Sequence, residues 1–344
     1  MAAFLLDSLE KTKVVNPVAK RLVDSYDAVF ADLDGVVYEG GKAIEHAIES
    51  LATLQDEGIQ LGYVTNNSSR KPETIADQIA GYGIAVAPAQ VVSSGQTGVE
   101  LLKTLVPTGS KVLVVGGEGL RTYTQAGGFE LVEDSTAKPD AVIQGFSPDV
   151  SWKHLSEAAY SIQNGAKWVA TNQDWTIPQE RGIAPGNGTL VSAVHTAVGQ
   201  LPLVAGKPEV AIFETAKNRF DSKRPLFVGD RIDTDILGAN RAGIDSVLVL
   251  TGISQAKELL ATKEDSHPTF VIADLRELLT PYVEPKKTKF GYSLRSAEVE
   301  LLGNKVRVVS GEPKSLDVLR CACAVIWNSG TSIHALDVEA SIYE

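Results

Sequence analysis

Four short polar segments, each following an apolar run directly, carry most of the chemistry in this chain of 344 residues. They are Asp32-Leu33-Asp34-Gly35, Thr65-Asn66-Asn67, Gly206-Lys207-Pro208 and Asp230-Arg231-Ile232-Asp233-Thr234-Asp235. Asp32 and Asp34 stand two positions apart, so a continuing strand would turn both carboxylates to one face. Gly35 permits the sharp turn that lets backbone approach a ligand. Acids gathered at one place raise one another's pKa unless a cation sits among them. All-oxygen ligation with room for water and a phosphate favours Mg²⁺. The expected ligands are Asp32, Asp230 and the backbone carbonyl of Asp34. Asp235 is placed to cap the helix read over Ile236–Ala242. Thr65, Asn66 and Asn67 offer a hydroxyl, amides and backbone N–H groups near a helix start, all suited to phosphate oxygens, and Lys207 adds a point charge. Taken singly, each has a plainer explanation: an Asp-rich turn, a helix cap at Thr65, a solvated lysine.

The elements that must position these groups alternate between short β-branched runs and amphipathic stretches, the pattern of parallel sheets with crossover helices. Strands are expected at Tyr26–Ala31, Ile59–Val64, Lys111–Val115, Ala141–Gln144, Trp168–Ala170, Leu203–Ala205, Leu226–Val228, Ser246–Leu250 and Thr269–Ile272. Helical stretches lie between, among them Ala43–Glu57, Pro72–Gly81, Trp152–Asn164 and Glu209–Phe220. The fold class is α/β. Ligands of open parallel sheets bind at the carboxyl ends of strands, which is where all four segments fall. Residues 1–90 and 187–280 read as a Rossmann-like core, residues 91–186 as an inserted α/β domain, and Pro185-Gly186-Asn187-Gly188 as its returning hinge. Residues 281–344 read as a small α+β module behind an exposed connector, Glu284–Lys289, with strands at Tyr292–Glu300 and Lys305–Ser310 and a helix at Ser315–Trp327. At this size the module has little core of its own and should lie against the main body.

Acidic residues outnumber basic ones 43 to 32, for a formal charge of −11. That balance disfavours nucleic acid and anionic membrane partners, which need basic surface. An anionic substrate must then be held by a local device. Cys321 and Cys323 are too few for a disulfide framework or a zinc site and read as small buried helix residues. Residues 1–13 lack the apolar core of a signal peptide, and no apolar run approaches membrane length, so a cytoplasmic address is expected. Gly116-Gly117-Glu118-Gly119 fails the dinucleotide spacing and reads as a strand-to-helix turn. The five histidines fall outside the four segments.

In their order and content the four segments resemble the haloacid dehalogenase-like hydrolases, in particular the NagD-like phosphatases, over roughly residues 20–280. The resemblance implies a C2-type cap between the second and third motifs and hydrolysis of a small phosphomonoester. It assigns Asp32 as nucleophile through an aspartyl-phosphate, Asp34 as acid and then base, and Thr65, Asn66 and Lys207 as phosphate holders. Asp235 and Asp233 would orient Lys207 or metal-bound water. Asn172 and Asp174, in Thr171-Asn172-Gln173-Asp174-Trp175, match polar cap positions that help select the leaving group. Ile177 stands where pyridoxal-phosphate phosphatases of the group place a histidine, which argues against a pyridoxal substrate. The terminal module resembles the short acetyltransferase-like tail of some bacterial glycerol 3-phosphate phosphatases, so glycerol 3-phosphate is the expected substrate. Sugar phosphates and nucleoside monophosphates are the alternatives within the class. A silent phosphate-ester sensor is the alternative outside it, and a homo-oligomer is compatible with the sequence.

Overall fold

A computed structural model describes residues 20–179 and 181–344; the amino-terminal stretch assessed above for a signal peptide lies outside them, and every expected site residue lies within them. The central sheet has six parallel strands in the order Phe270–Ile272, Asp245–Val249, Pro225–Gly229, Ala28–Ala31, Gln60–Thr65 and Val91–Ser93. The middle strands are buried on both faces, as helix-covered parallel strands must be. The helices Ala47–Asp56 and Pro72–Gly81 close one face through Leu51, Leu54, Ile75 and Ile79. Val210–Phe220 closes part of the other, with Phe213 edge-on to Phe227 at 4.9 Å.

A second parallel sheet runs Leu203–Val204, Lys167–Ala170, Ala141–Gln144, Lys111–Val115 and Glu130–Val132. Trp152–Gln163 and Asn187–Val198 cover one face, and Ser94–Leu105 with Glu118–Ala126 covers the other. The Gly116–Gly119 stretch is indeed the turn between strand and helix. A side chain at Gly119 would meet the Ser69 carbonyl oxygen at 2.5 Å, so this helix lies directly on the Ser69 loop of the first sheet.

Strand pairing moves both expected edges of the insert. Val91–Ser93 bonds to Gln60–Thr65 and so belongs to the central sheet. Asn187–Val198 and Leu203–Val204 pack with the second sheet, so Pro185–Gly188 precedes further elements of that sheet, and Asn187 and Gly188 form the first turn of a helix. Two-residue and three-residue edge strands carry too few side chains to declare their partner, which only the assembled sheets reveal.

The terminal module has five strands, Lys286–Lys287, Gly291–Leu294, Ala297–Leu302, Lys305–Ser310 and Asp337–Val338, with the helix Leu316–Trp327 against them. The single strand expected over 292–300 is a hairpin turning at Arg295, which has a φ of 50°. The connector is partly strand, since Lys286–Lys287 pairs with Tyr292 and Ser293. Both cysteines are buried and unpaired in the helix, as expected. Among the described residues, no helix is long and apolar enough to cross a membrane.

Gly62 lies mid-strand under two rings: an added Cβ would meet Phe30 at 2.8 Å and Phe220 at 2.9 Å. Gly62→Ala therefore overfills a closed space and should cost about 1–3 kcal/mol, read as a lower urea-unfolding midpoint. An unchanged midpoint would show that the rings have room to move.

Candidate active site

Three of the four polar segments leave strand ends of the central sheet, and Gly206-Lys207-Pro208 comes instead from the Leu203–Val204 edge strand of the second sheet; all four meet in a cleft of about 590 Å³ whose far side, its roof, carries Phe146, Asn172, Asp174, Thr176 and Ile177. At its floor the Lys207 ammonium lies 2.7 Å from Asp32 Oδ1 and 2.7 Å from Asp235 Oδ1, and it donates to the Val64 carbonyl oxygen at 3.3 Å. Lys207 is only 3% exposed and Asp235 is fully enclosed. Asp230 completes the group: carboxylate oxygens of Asp32, Asp230 and Asp235 all lie within 4.8 Å of one another.

Backbone geometry explains how acids can stand so close. The Asp32 N–H donates to the Val228 carbonyl oxygen at 2.9 Å, fixing the first acid beside the strand that delivers Asp230. Asp235 accepts the N–H groups of Asp230 at 3.2 Å and Arg231 at 3.1 Å. It is therefore not a helix N-cap as expected. It sits within a π turn, Ile232–Ile236, and folds back to satisfy the backbone of its own loop. Gly35 has a φ of +84°, and a Cβ there would reach Asp230 Oδ2 at 2.3 Å; one at Gly252 would reach it at 2.0 Å. Both glycines are needed for the approach of backbone to carboxylate.

Burial raises the pKa of each acid. Asp230 is pushed up to about 8 by desolvation and by the neighbouring Asp235 and Asp32 charges. Asp235 reaches about 6, since desolvation is opposed by Lys207, and Asp32 is raised on the same balance. Burial works against the Lys207 charge, but Asp235 and Asp32 outweigh it and hold the ammonium above its ordinary range. Asp34 lines the open cleft and is raised by its desolvating walls, against the pull of Lys207 and Arg70.

This donor set fits a divalent cation. Three carboxylates face one ammonium, leaving negative charge in excess. Asp230 Oδ2 is taken by the Ile253 N–H at 2.8 Å, while Asp230 Oδ1 is buried and has no hydrogen-bond partner. A buried carboxylate oxygen with nothing to bind is costly unless a cation supplies the missing contact.

Other expected residues reach the cleft in different roles. Thr65 Oγ1 accepts the Asn67 N–H at 3.1 Å, leaving its hydroxyl proton for a ligand. The Asn66 side chain is not free for phosphate as expected. Its amide nitrogen donates to Asp174 Oδ1 at 3.0 Å and to the Lys207 carbonyl oxygen at 3.1 Å, and its Oδ1 accepts the Lys207 N–H at 2.8 Å. Asn67 Oδ1 is likewise spent on the N–H groups of Ser69 and Arg70. Asn172 lines the cleft, but its amide nitrogen is committed to the Asn66 carbonyl oxygen at 2.7 Å. Asn66 and Asn172 thereby brace the segments that leave the two sheets against each other, while Asn67 holds its own loop. Asp174 keeps a place on the wall, with Ile177 beside it. Asp233 does not face Lys207; it grips Arg231 through two bonds of 3.0 and 2.7 Å. Sequence reasoning missed Arg231 as a cleft-lining cation, although its spacing from Asp233 was the available signal.

Residues 29–130 match the family described as haloacid dehalogenase-like hydrolase, and residues 204–278 match a further model of HAD-hydrolase-like proteins. The chain is 40% identical over 259 residues to the D-glycerol 3-phosphate phosphatase of Mycobacterium tuberculosis, covering 75% of this chain and 72% of that one. It is 36% identical over 257 residues to an acid sugar phosphatase of Staphylococcus saprophyticus, covering 74% and 97%. Among solved structures, a glycerol phosphate phosphatase of Mycobacterium tuberculosis in complex with magnesium superposes with a TM-score of 0.83 at 35% identity, over 93% of this chain and 95% of that one. The last match is wide enough to reach into the terminal module.

The raised Asp230 pKa fixes the sign of a pH effect. An unfolded aspartate releases its proton near pH 3.9, whereas folded Asp230 holds it to about 8. Between those values the folded chain binds more protons, so stability falls as pH rises. Without metal, the melting temperature of the wild type should drop more steeply from pH 5.5 to 8 than that of Asp230→Asn, and saturating Mg²⁺ should flatten the wild-type profile. Parallel profiles for the two proteins would contradict this account.

Proposed function

The chain belongs to the haloacid dehalogenase-like hydrolases, and from that premise we infer that it is a magnesium-dependent phosphoric monoester hydrolase with glycerol 3-phosphate as its preferred substrate. The observation that carries the reading is the buried set of Asp32, Asp230 and Asp235 around Lys207, open to a cleft on the Asp32 side. Asp32, the Asp34 carbonyl and Asp230 would hold the cation, and Asp235 would hold Lys207. When bound, Mg²⁺ offsets the repulsion between an anionic nucleophile and an anionic ester.

The residues then divide the work. The Asp32 carboxylate attacks phosphorus, the ester P–O bond breaks, and the phosphoryl group stays on Asp32 as an aspartyl-phosphate. Asp34 gives its proton to the departing alkoxide, for which its raised pKa suits it, then takes one from the water that releases inorganic phosphate. Lys207 and the Thr65 hydroxyl hold phosphoryl oxygens as their charge redistributes. Residues 20–93 and 205–280 form the catalytic core in this reading, and residues 94–204 form a C2-type cap. On the cap side Asp174, with Glu39 and Arg231 across the cleft, offers partners for the hydroxyls of a polyol.

Sugar phosphates are the second reading, favoured by the acid sugar phosphatase relative; nucleoside monophosphates fall in the same class. A silent sensor would have no need of both Asp32 and Asp34. A cytoplasmic address goes with a small-metabolite substrate.

Phosphate release with Mg²⁺ over a panel of esters tests reaction and substrate together. Glycerol 3-phosphate should give the highest kcat/KM, and a marked preference for a sugar phosphate or nucleotide would transfer the assignment to that ester. Asp32→Asn should lose roughly 10³-fold or more in kcat while keeping its circular dichroism spectrum. Appreciable Mg²⁺-dependent turnover in that variant would remove Asp32 from the nucleophile's role.

A further inference from the structure

We propose that the terminal module is a positioning element for the metal site, acting on Asp230 through the loop Thr251–Ser254. The proposal rests on the reading of Asp230 as a magnesium ligand and adds to it what holds that ligand in place. The loop grips the acid from several directions. The Ile253 N–H donates to Asp230 Oδ2 at 2.8 Å, and the Ser254 N–H donates to the Asp230 carbonyl oxygen at 3.0 Å. The Ile232 N–H donates to Ser254 Oγ at 3.1 Å, and Thr251 Oγ1 donates to the Gly35 carbonyl oxygen at 2.7 Å. One loop thereby ties the first acid segment to the last.

This loop is itself held from behind. It leads into the short helix Ala256–Leu260, whose Leu259 and Leu260 are buried in one apolar cluster with Ile232 and Ile236 of the π turn. Leu248 and Val271 of the central sheet share that cluster, and its other buried members come from the module, including Val318 and Cys321 of its helix and Ile342 near the chain end. Lys257 lies 5.4 Å from the Tyr343 ring centroid, and Trp327 stacks on His267 at 4.1 Å. Arg320, 3% exposed, donates to the Val271 carbonyl oxygen and to Glu277. The module therefore supplies the far wall of a core whose near wall is the acid-bearing turn. A core closes to fixed shapes and does not deform continuously, so slack on the module side moves the turn.

The test uses the full-length protein and Mg²⁺ alone. Affinity is read by titration calorimetry and by the Mg²⁺-induced rise in melting temperature, for the wild type, Ile342→Ala, Ser254→Ala, the double variant, and Ile162→Ala as a control in the core of the second sheet. Ile342→Ala should weaken Mg²⁺ binding roughly threefold to tenfold, with kcat at saturating Mg²⁺ close to wild type. Ile162→Ala should lose stability without losing Mg²⁺ affinity. In the double variant the two losses should combine to less than their product, because both act through one loop. Should Ile342→Ala not fold, Tyr343→Leu, which removes only the ring beside Lys257, carries the same expectation. The proposal is overturned if Ile342→Ala loses melting temperature while its Mg²⁺ affinity stays at the wild-type value, or if the two losses simply multiply. Absence of Mg²⁺ binding by the wild type would instead bring down the metal reading, and this proposal with it.

Discussion

The ammonium of Lys207, closed in between two carboxylates, sets the terms for everything around it. A buried amine is costly without partners, and two acids at 2.7 Å supply them. That solution creates a further difficulty, since the third acid, Asp230, then has no cation of its own. The surplus is tolerable only if another positive charge arrives or a proton stays on. The high pKa of Asp230 is the second outcome, and a divalent ion is the first. Desire for a metal is thus written into the protein's own charge balance, separately from what its relatives bind.

Such crowding requires rigid supports, and the fold provides them through adjacent strand ends. Ala28–Ala31 and Pro225–Gly229 are neighbours in the sheet, so Asp32 and Asp230 leave parallel strands side by side. Asn66 then joins three parts of the chain. Its side chain fixes the backbone of Lys207 and touches Asp174, while its carbonyl oxygen accepts from Asn172 and from Ser94 Oγ. Side-chain amides suit this task because they donate and accept at once.

The floor of the site was legible in the sequence because its signals are local: an apolar run, then an acid, a lysine or a threonine, at a strand's carboxyl end. The strands Lys111–Val115 and Ala141–Gln144 are legible to the residue for a similar reason, being β-branched runs with clear punctuation. What escaped depends on contacts between distant segments. Nothing near Val91 or Leu203 tells which sheet each strand joins. Asp235 has the spacing of a helix cap, and only the fold shows it turned back on Asp230 and Arg231. Asn66 has the chemistry of a phosphate binder and Asn172 that of a leaving-group contact, yet their amides are consumed between segments of the two sheets. The module's apolar helix was visible, whereas its sharing of one core with the π turn was not.

The route of the chain from Leu203–Val204 to Lys207 bears on how such proteins can be recombined. The last strand of the roof runs into the buried amine with only Ala205 and Gly206 between them. A transplanted roof cannot be trimmed cleanly at that end without resetting the lysine, and Asn66 on the other side must still meet the newcomer's Asn172 and Asp174. Exchange of specificity between relatives therefore favours small edits to the roof's inner loops over wholesale grafts, and the seam of any chimera is best drawn beyond Pro208.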